Sequence, residues 1–307
     1  MRPADIQLTN DITAKLNSFQ HIRPMPGIAS QVSLDCLVKQ MVDSVRRVKY
    51  VSIISNKNHN ISVCDPTSNA FDPIKAAAKH KQNGNIDEAA WLVFLSTHFG
   101  KNGRTKWQLV KNVYGALGQQ APWTWNNVHG NIGAFRHWLS QNETAVKTNA
   151  NFGNHRKYES INALQNNGTG EAIETYVNWI NAAGNHVQLF TNTAVNCNNN
   201  IRATFAQLYN EMNCVTRFGR TARFDYLTML GKLGLAQLEP DSTYMHGATG
   251  PYSGAALLFG GQQTQATFNL WLDALESHLG LYYGMQVLED SLCNWQKSPN
   301  NYVYFGG

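Results

Sequence analysis

Two short segments carry the residues whose types and spacing could do chemistry. The first is Cys214-Val215-Thr216-Arg217-Phe218-Gly219-Arg220-Thr221-Ala222, and the second, further along, is Glu239-Pro240-Asp241-Ser242-Thr243-Tyr244. The first reads as two helices meeting at a tight turn, one ending near Met212-Asn213-Cys214 and the next beginning near Gly219. The opening N–H groups of a helix have no intrahelical partner and point at an anion, and Arg217, Arg220 and Arg223 would add direct charge there. An ordinary helix–helix turn with solvated arginines reads the same way. Asp241, after Pro240, sits in a favourable N-cap position, where its carboxylate accepts backbone N–H bonds and stays ionised. Such a group is a plain cap, or it stabilises a developing positive charge or orients an attacking water.

The elements that must position these groups read as helical. Residues 28 to 54 carry apolar side chains at helical spacing, which predicts one amphipathic helix running into a short extended piece at Tyr50-Val51-Ser52-Ile53-Ile54. A polar stretch from Ser55 and two Asp-Pro pairs, Asp65-Pro66 and Asp72-Pro73, then break the pattern and predict a loop. From Asn85 a helix apolar nearly all round follows to His98, then a turn from Phe99 to Arg104, then a helix over Trp107 to Leu117. Further helical patterns cover Phe135–Leu139, Glu171–Ile180, Ile201–Tyr209, Phe224–Leu230, Gly254–Phe259 and Phe268–Leu275, with Asn-rich Thr191 to Asn200 as an exposed polar connection. Few alternating strand patterns and no internal repeat occur, so the fold class is all-α. The expected organisation is a single compact body over 1–307, with an N-terminal layer at 1–84 and a helical body at 85–307 whose hairpin lies near 205–235.

Composition narrows the function classes. The chain is 43% apolar and only 15% charged, so its surface polarity rests on Asn, Gln, Ser and Thr. A net charge of +5 is compatible with a polyanionic partner but too small for binding by charge alone. The five cysteines are widely spaced and contain no C-x-x-C pair, which argues against a disulfide framework, a zinc site or an iron–sulfur cluster. The histidines lack ligand spacing, so no metal and no cofactor are implied. The N-terminus, Met1-Arg2-Pro3-Ala4-Asp5-Ile6, lacks a continuous apolar core, and no apolar run reaches the ~18–20 residues of a membrane span. The expectation is a cytoplasmic protein with no membrane association and no obligate protein partner. Phosphate-loop, dinucleotide-binding, nucleophile-elbow and zinc-protease motifs are absent.

On these residues the chain resembles the helix-hairpin-helix DNA glycosylase superfamily, and more closely its phage-related branch, the α-glutamyl/putrescinyl thymine pyrophosphorylases. The resemblance covers roughly Ile86 to Phe259 and is most distinct over Leu95–Trp107 and Tyr244–Ala255. Members of that branch are associated with hypermodified pyrimidines in phage DNA, and the set is also similar to bacterial anti-phage glycosylases that remove glucosylated hydroxymethylcytosine. The resemblance implies two helical lobes flanking a cleft, double-stranded DNA carrying modified bases as the partner, a hairpin that grips the backbone, and Asp241 as the catalytic carboxylate. The hairpin's usual first glycine is missing, Gly219 stands for the second, and the residues after the Asp read Ser242-Thr243-Tyr244 rather than the common Thr-His-Val.

The resemblance also distributes roles. Arg217, Gly219, Arg220 and Thr221 would hold the DNA backbone together with Lys101, Arg104 and Lys106. His98, Phe99 or Asn102 would fill the gap left by an extruded base, although a solvated basic turn reads equally well. Trp123 and Trp125 offer stacking faces or core packing, and Tyr244 and His246 complete the expected base pocket. Arg220 stands where bifunctional members carry a lysine, and a guanidinium stays protonated and cannot form a Schiff base. Lys232 is the nearest alternative amine. The expected activity is a monofunctional glycosylase that excises a hypermodified pyrimidine, with α-glucosyl-hydroxymethylcytosine as the best candidate, and leaves an abasic site. The alternative is a transferase that displaces pyrophosphate with an amine, for which His246 would be the base and Lys101 and Arg104 the cations. A third reading is a non-catalytic reader of modified DNA.

Overall fold

The computed structural model describes residues 3–305; the N-terminal reading therefore rests in part on Met1 and Arg2, which lie outside the described residues. Fourteen α-helices and no β-strand occur among these residues, so the protein is all-α. In chain order they are α1 (Pro3–Phe19), α2 (Gln31–Asn56), α3 (Pro73–Gln82), α4 (Ile86–Phe99) and α5 (Gln108–Tyr114). Then come α6 (Trp125–His129), α7 (Ile132–Val146), α8 (Thr169–Ala182), α9 (His186–Asn196) and α10 (Ile201–Glu211). The last four are α11 (Arg220–Leu233), α12 (Thr249–Phe259), α13 (Gln265–Leu279) and α14 (Gly284–Trp295). No helix of the described residues is long and apolar enough to cross a membrane.

Two compact units divide the chain. One combines residues 1–50 with 240–307, and the other is 51–239. In the first, α12 packs along α14 and α1 along α13, around a core that includes Phe19, Met41, Phe268, Leu275, Leu288 and Trp295. Its C-terminal residues are tied to α2. Gln40 donates to the Val303 carbonyl at 2.8 Å, and Arg47 donates to the Phe305 carbonyl at 3.1 Å and to Asp290 at 2.5 Å.

The second unit is built around α4, with α3 and α11 packed against it. Asn85 caps α4 by accepting from the Glu88 N–H at 3.2 Å, and residues 88 to 96 are all buried. An apolar run with no polar face can only be a central helix. Three expectations are corrected. Tyr50–Ile54 is helical, because Val51 and Ile54 recur at helical spacing on a buried face while Tyr50 and Ile53 are exposed. Asp72-Pro73 begins α3 rather than breaking a pattern: Asp72 accepts from the N–H groups of Ile74 and Lys75 at 3.1 Å each, and Pro73 takes the first helical position, where a missing N–H costs nothing. Thr191–Asn196 belongs to α9, whose buried face is His186, Leu189, Phe190 and Thr193.

Buried polar groups thread the second unit. His186 donates from Nδ1 to Asp87 at 2.6 Å, so its Nε2 accepts from Tyr176 at 2.6 Å, and Tyr176 accepts from Tyr226 at 2.8 Å. Burial holds the His186 pKa below its ordinary value despite Asp87. Glu88, buried, accepts from the Tyr114 hydroxyl and the Trp125 N–H at 2.7 Å each, and burial raises its pKa against those two bonds. His98 is fully buried and is held well below its ordinary pKa by burial, with Arg156 and Arg217 adding to the effect.

These shifts predict a pH dependence. Above the unfolded histidine pKa of about 6.5 both states are neutral; below it the unfolded chain binds protons that folded His98 and His186 refuse, so stability is lost as pH falls. Glu88, with its raised pKa, acts in the opposite sense, holding a proton in the fold that the unfolded chain releases. Thermal midpoints measured from about pH 7.5 to about pH 5.5 should therefore depend less on pH in His98→Gln than in wild type. Equal slopes would contradict the assignment.

Candidate functional site

The structure brings together three segments of the second unit that are far apart in sequence: the turn after α4, the loop at 150–160, and the turn between α10 and α11. The helical pair is formed as expected: α10 is followed by a 3-10 turn at Met212–Cys214, a tight turn through Arg217, and α11 starting after Gly219. Arg217 holds φ +65°, the left-handed backbone in which a glycine is the usual occupant. Gly219, at the N-cap of α11, provides no side-chain cap, and Gly219 and Thr221 are exposed.

The arginines do not all point to solvent. Arg217 Nε donates to Glu159 at 2.6 Å, and Arg223 donates to the Tyr209 carbonyl at 3.0 Å and to Asn213. Arg217 is thus paired with a carboxylate, and Arg223 closes the α10 end of the hairpin. Arg220 lies over the Phe224 ring at 5.6 Å, at the start of α11.

Arg156, which the sequence reading passed over, ties the segments together. Its Nε donates to the His98 carbonyl at 3.0 Å, its Nη2 to the Arg217 carbonyl at 3.0 Å, and it faces Glu159 at 3.5 Å. Burial pushes its pKa down while Glu159 opposes the shift. The turn after α4 meets the loop directly, with Gly153 N–H donating to the Phe99 carbonyl at 2.8 Å and Asn102 Nδ2 to the Phe152 carbonyl at 2.9 Å. The local signal that could have flagged this loop is the basic run His155-Arg156-Lys157.

The wedge candidates are reassigned by burial. His98 donates from Nε2 to Thr169 at 2.9 Å, since the Thr169 hydroxyl itself donates to Ser160, and its ring stacks between Phe94 and Phe218. Phe99 is also fully buried, so neither side chain can enter a groove. Asn102 accepts from the N–H groups of Arg104 and Thr105 and shapes the turn. Trp123 and Trp125 are buried core, the latter against His129, Tyr176 and His186, and are not open stacking faces. Lys232 is buried as well. Lys101, Arg104 and Lys106 are exposed; Lys101 lies over Trp107 at 5.5 Å, and Lys106 donates to the Gly103 carbonyl at 2.6 Å.

Asp241 belongs to the other unit, half-buried, with Tyr244 donating its hydroxyl to Oδ1 at 2.6 Å. Its second oxygen has no protein partner among the described residues. The N-cap expectation is corrected: α12 begins only at Thr249, after Ala248, because left-handed backbone at Tyr244 (φ +49°) and Gly247 (φ +71°) cannot lie within a right-handed helix. Tyr244 thus takes over the positioning task expected of backbone N–H groups, fixing the carboxyl group by one oxygen. His246 is exposed in the same connection. No cluster of metal-ligating side chains occurs among the described residues.

Residues 32–307 match the alpha-glutamyl/putrescinyl thymine pyrophosphorylase clade 3 family, and the chain belongs to that family. Comparison with curated proteins and with solved structures gave no match.

The close approach of the two loops yields a test. A Cβ on Gly153 would lie 2.7 Å from the Gly100 carbonyl carbon and 2.9 Å from the Lys101 nitrogen, backbone atoms that cannot move independently. Gly153→Ala should cost about 1–3 kcal/mol of stability in chemical denaturation, whereas Gly133→Ala, with open space around it, should cost far less. Equal effects would show that the loops are not pressed together.

Proposed function

We propose that this protein acts on thymine nucleotides in DNA that carry a pyrophosphoryl ester on the 5-methylene carbon, and replaces the pyrophosphate with an amine. The observation that carries this reading is membership, over residues 32–307, of the alpha-glutamyl/putrescinyl thymine pyrophosphorylase clade 3 family, whose name this reaction fits. The amine nitrogen forms the new bond to the methylene carbon, and the carbon–oxygen bond breaks with its electron pair leaving on pyrophosphate. The proton lost by the amine passes to the free oxygen of Asp241, which Tyr244 holds in place. Strand phosphates are held by the exposed cations Lys101, Arg104 and Lys106 and by the exposed hairpin residues Gly219 and Thr221.

A second reading, removal of a hypermodified pyrimidine such as α-glucosyl-hydroxymethylcytosine by a helix-hairpin-helix glycosylase, is favoured by one observation. The Tyr244 hydrogen bond fixes the Asp241 carboxyl group by one oxygen, as a group positioned against a developing sugar cation must be. Arg220 keeps this version monofunctional, because no amine stands at that place.

Duplex DNA bearing pyrophosphorylated 5-hydroxymethyl-deoxyuridine, incubated with putrescine or glutamate, separates the readings. The expected result is pyrophosphate release matched by an aminated nucleoside in the intact strand, with Asp241→Asn slower by roughly 100-fold or more. Free base and abasic sites would instead support excision. Neither product, from this DNA or from glucosylated DNA, would contradict both.

A further inference from the structure

A hollow of about 490 Å³ opens between the turn after α4, the end of α7 and the loop at 150–159. Its polar lining is Asn102, Arg104, Lys147, Asn151, Lys157 and Glu159, over apolar Leu109, Ala150 and Phe152. The charges there do not cancel. Glu159 is already engaged by Arg217 at 2.6 Å and by Arg156 at 3.5 Å. The side chains of Arg104 and Lys147 have no hydrogen-bond or ion-pair partner among the described residues, and Lys157 only lies over the Tyr158 ring. One wall is fixed, because Asn102 is bonded through its amide to Phe152 and through its oxygen to the backbone of Arg104 and Thr105. Lys147 also lines an adjoining hollow of about 280 Å³ with Glu143, Ser160 and Asn162.

The geometry points to a phosphate-oxyanion site in this hollow, with Arg104, Lys147 and Lys157 as the cations and the Asn102 and Asn151 side chains as its polar neighbours. Three exposed cations around one partly walled hollow raise a positive local potential that draws an anion in. A phosphoryl group brings about −1.5 to −2 charges and several acceptor oxygens, which suits a multi-cation, partly walled site better than a single carboxylate does. The anion is either pyrophosphate or a backbone phosphodiester. The choice of pyrophosphate as a probe rests on the function proposed above, whereas the oxyanion site itself does not.

Calorimetric titration of inorganic pyrophosphate into the full chain, without DNA, tests the first source. The double variant Lys147→Gln with Lys157→Gln should weaken binding roughly tenfold or more, while Lys49→Gln, an exposed lysine of the other unit, should not. Duplex binding measured against salt tests the second source: each lost phosphate contact lowers the log–log slope by about 1. A change in either arm, confined to the hollow's variants and with unchanged thermal midpoints, supports the site and names its anion. Wild-type-like pyrophosphate affinity and salt slope in the double variant, or an equal loss in Lys49→Gln, overturns it. Pyrophosphate binding that persists in a protein showing no turnover would leave the site standing and remove only the proposed reaction.

Discussion

The arrangement of the basic face depends on one half-buried guanidinium. Arg156 spends its donors on the carbonyls of His98 and Arg217, so the end of α4 and the hairpin turn are held against the same side chain. Glu159 supplies the opposite charge to Arg156 and Arg217 at once. Leaving a buried charge without its partner typically costs about 3–5 kcal/mol, so the three segments are expected to keep or lose their places together. Arg217 shows the same economy on the backbone. It occupies a left-handed position that glycine would take without strain, and its Nε bond to Glu159 supplies a reason for a charged residue to remain there.

How much was legible in the sequence varied with how local the cause was. α4, α8, α10 and α11 could be read because their apolar spacing and, for α4, the Asn85 cap are local facts. The all-α class followed from the same periodicity. Local chemistry also misled. The Asp72-Pro73 pair looks like a breaker but is a cap followed by a first-turn proline. The Asn-rich stretch after Phe190 hides Thr193 on a buried helical face. α14, with its buried Val287, Leu288, Leu292 and Trp295, carried a periodic signal that the sequence reading did not use.

The candidate site was harder to read than the fold because its members act through tertiary partners. His98 and Phe99 stand beside an exposed basic turn, yet both are core side chains, and nothing in the local sequence distinguishes an inward histidine from an outward one. Arg156 is one of several cations in a loop, and its role exists only because the His98 and Arg217 backbones come to it. Asp241 was recognisable as a type of residue in a type of place, but its partner was not: a left-handed residue at 244 delays α12 and turns a tyrosine hydroxyl back onto the carboxylate. Family membership over 32–307 bears on the reaction, and the geometry bears on which groups are available to perform it.

The central claim is that the turn at 100–107, the loop at 150–160 and the hairpin turn at 215–221 form one phosphate-facing surface. Amide hydrogen exchange measured with and without duplex DNA tests it most directly. All three segments should slow together on adding DNA, and in Arg156→Gln the joint protection should be lost. Protection of the hairpin turn alone, of surfaces elsewhere, or of no segment at all would contradict the account.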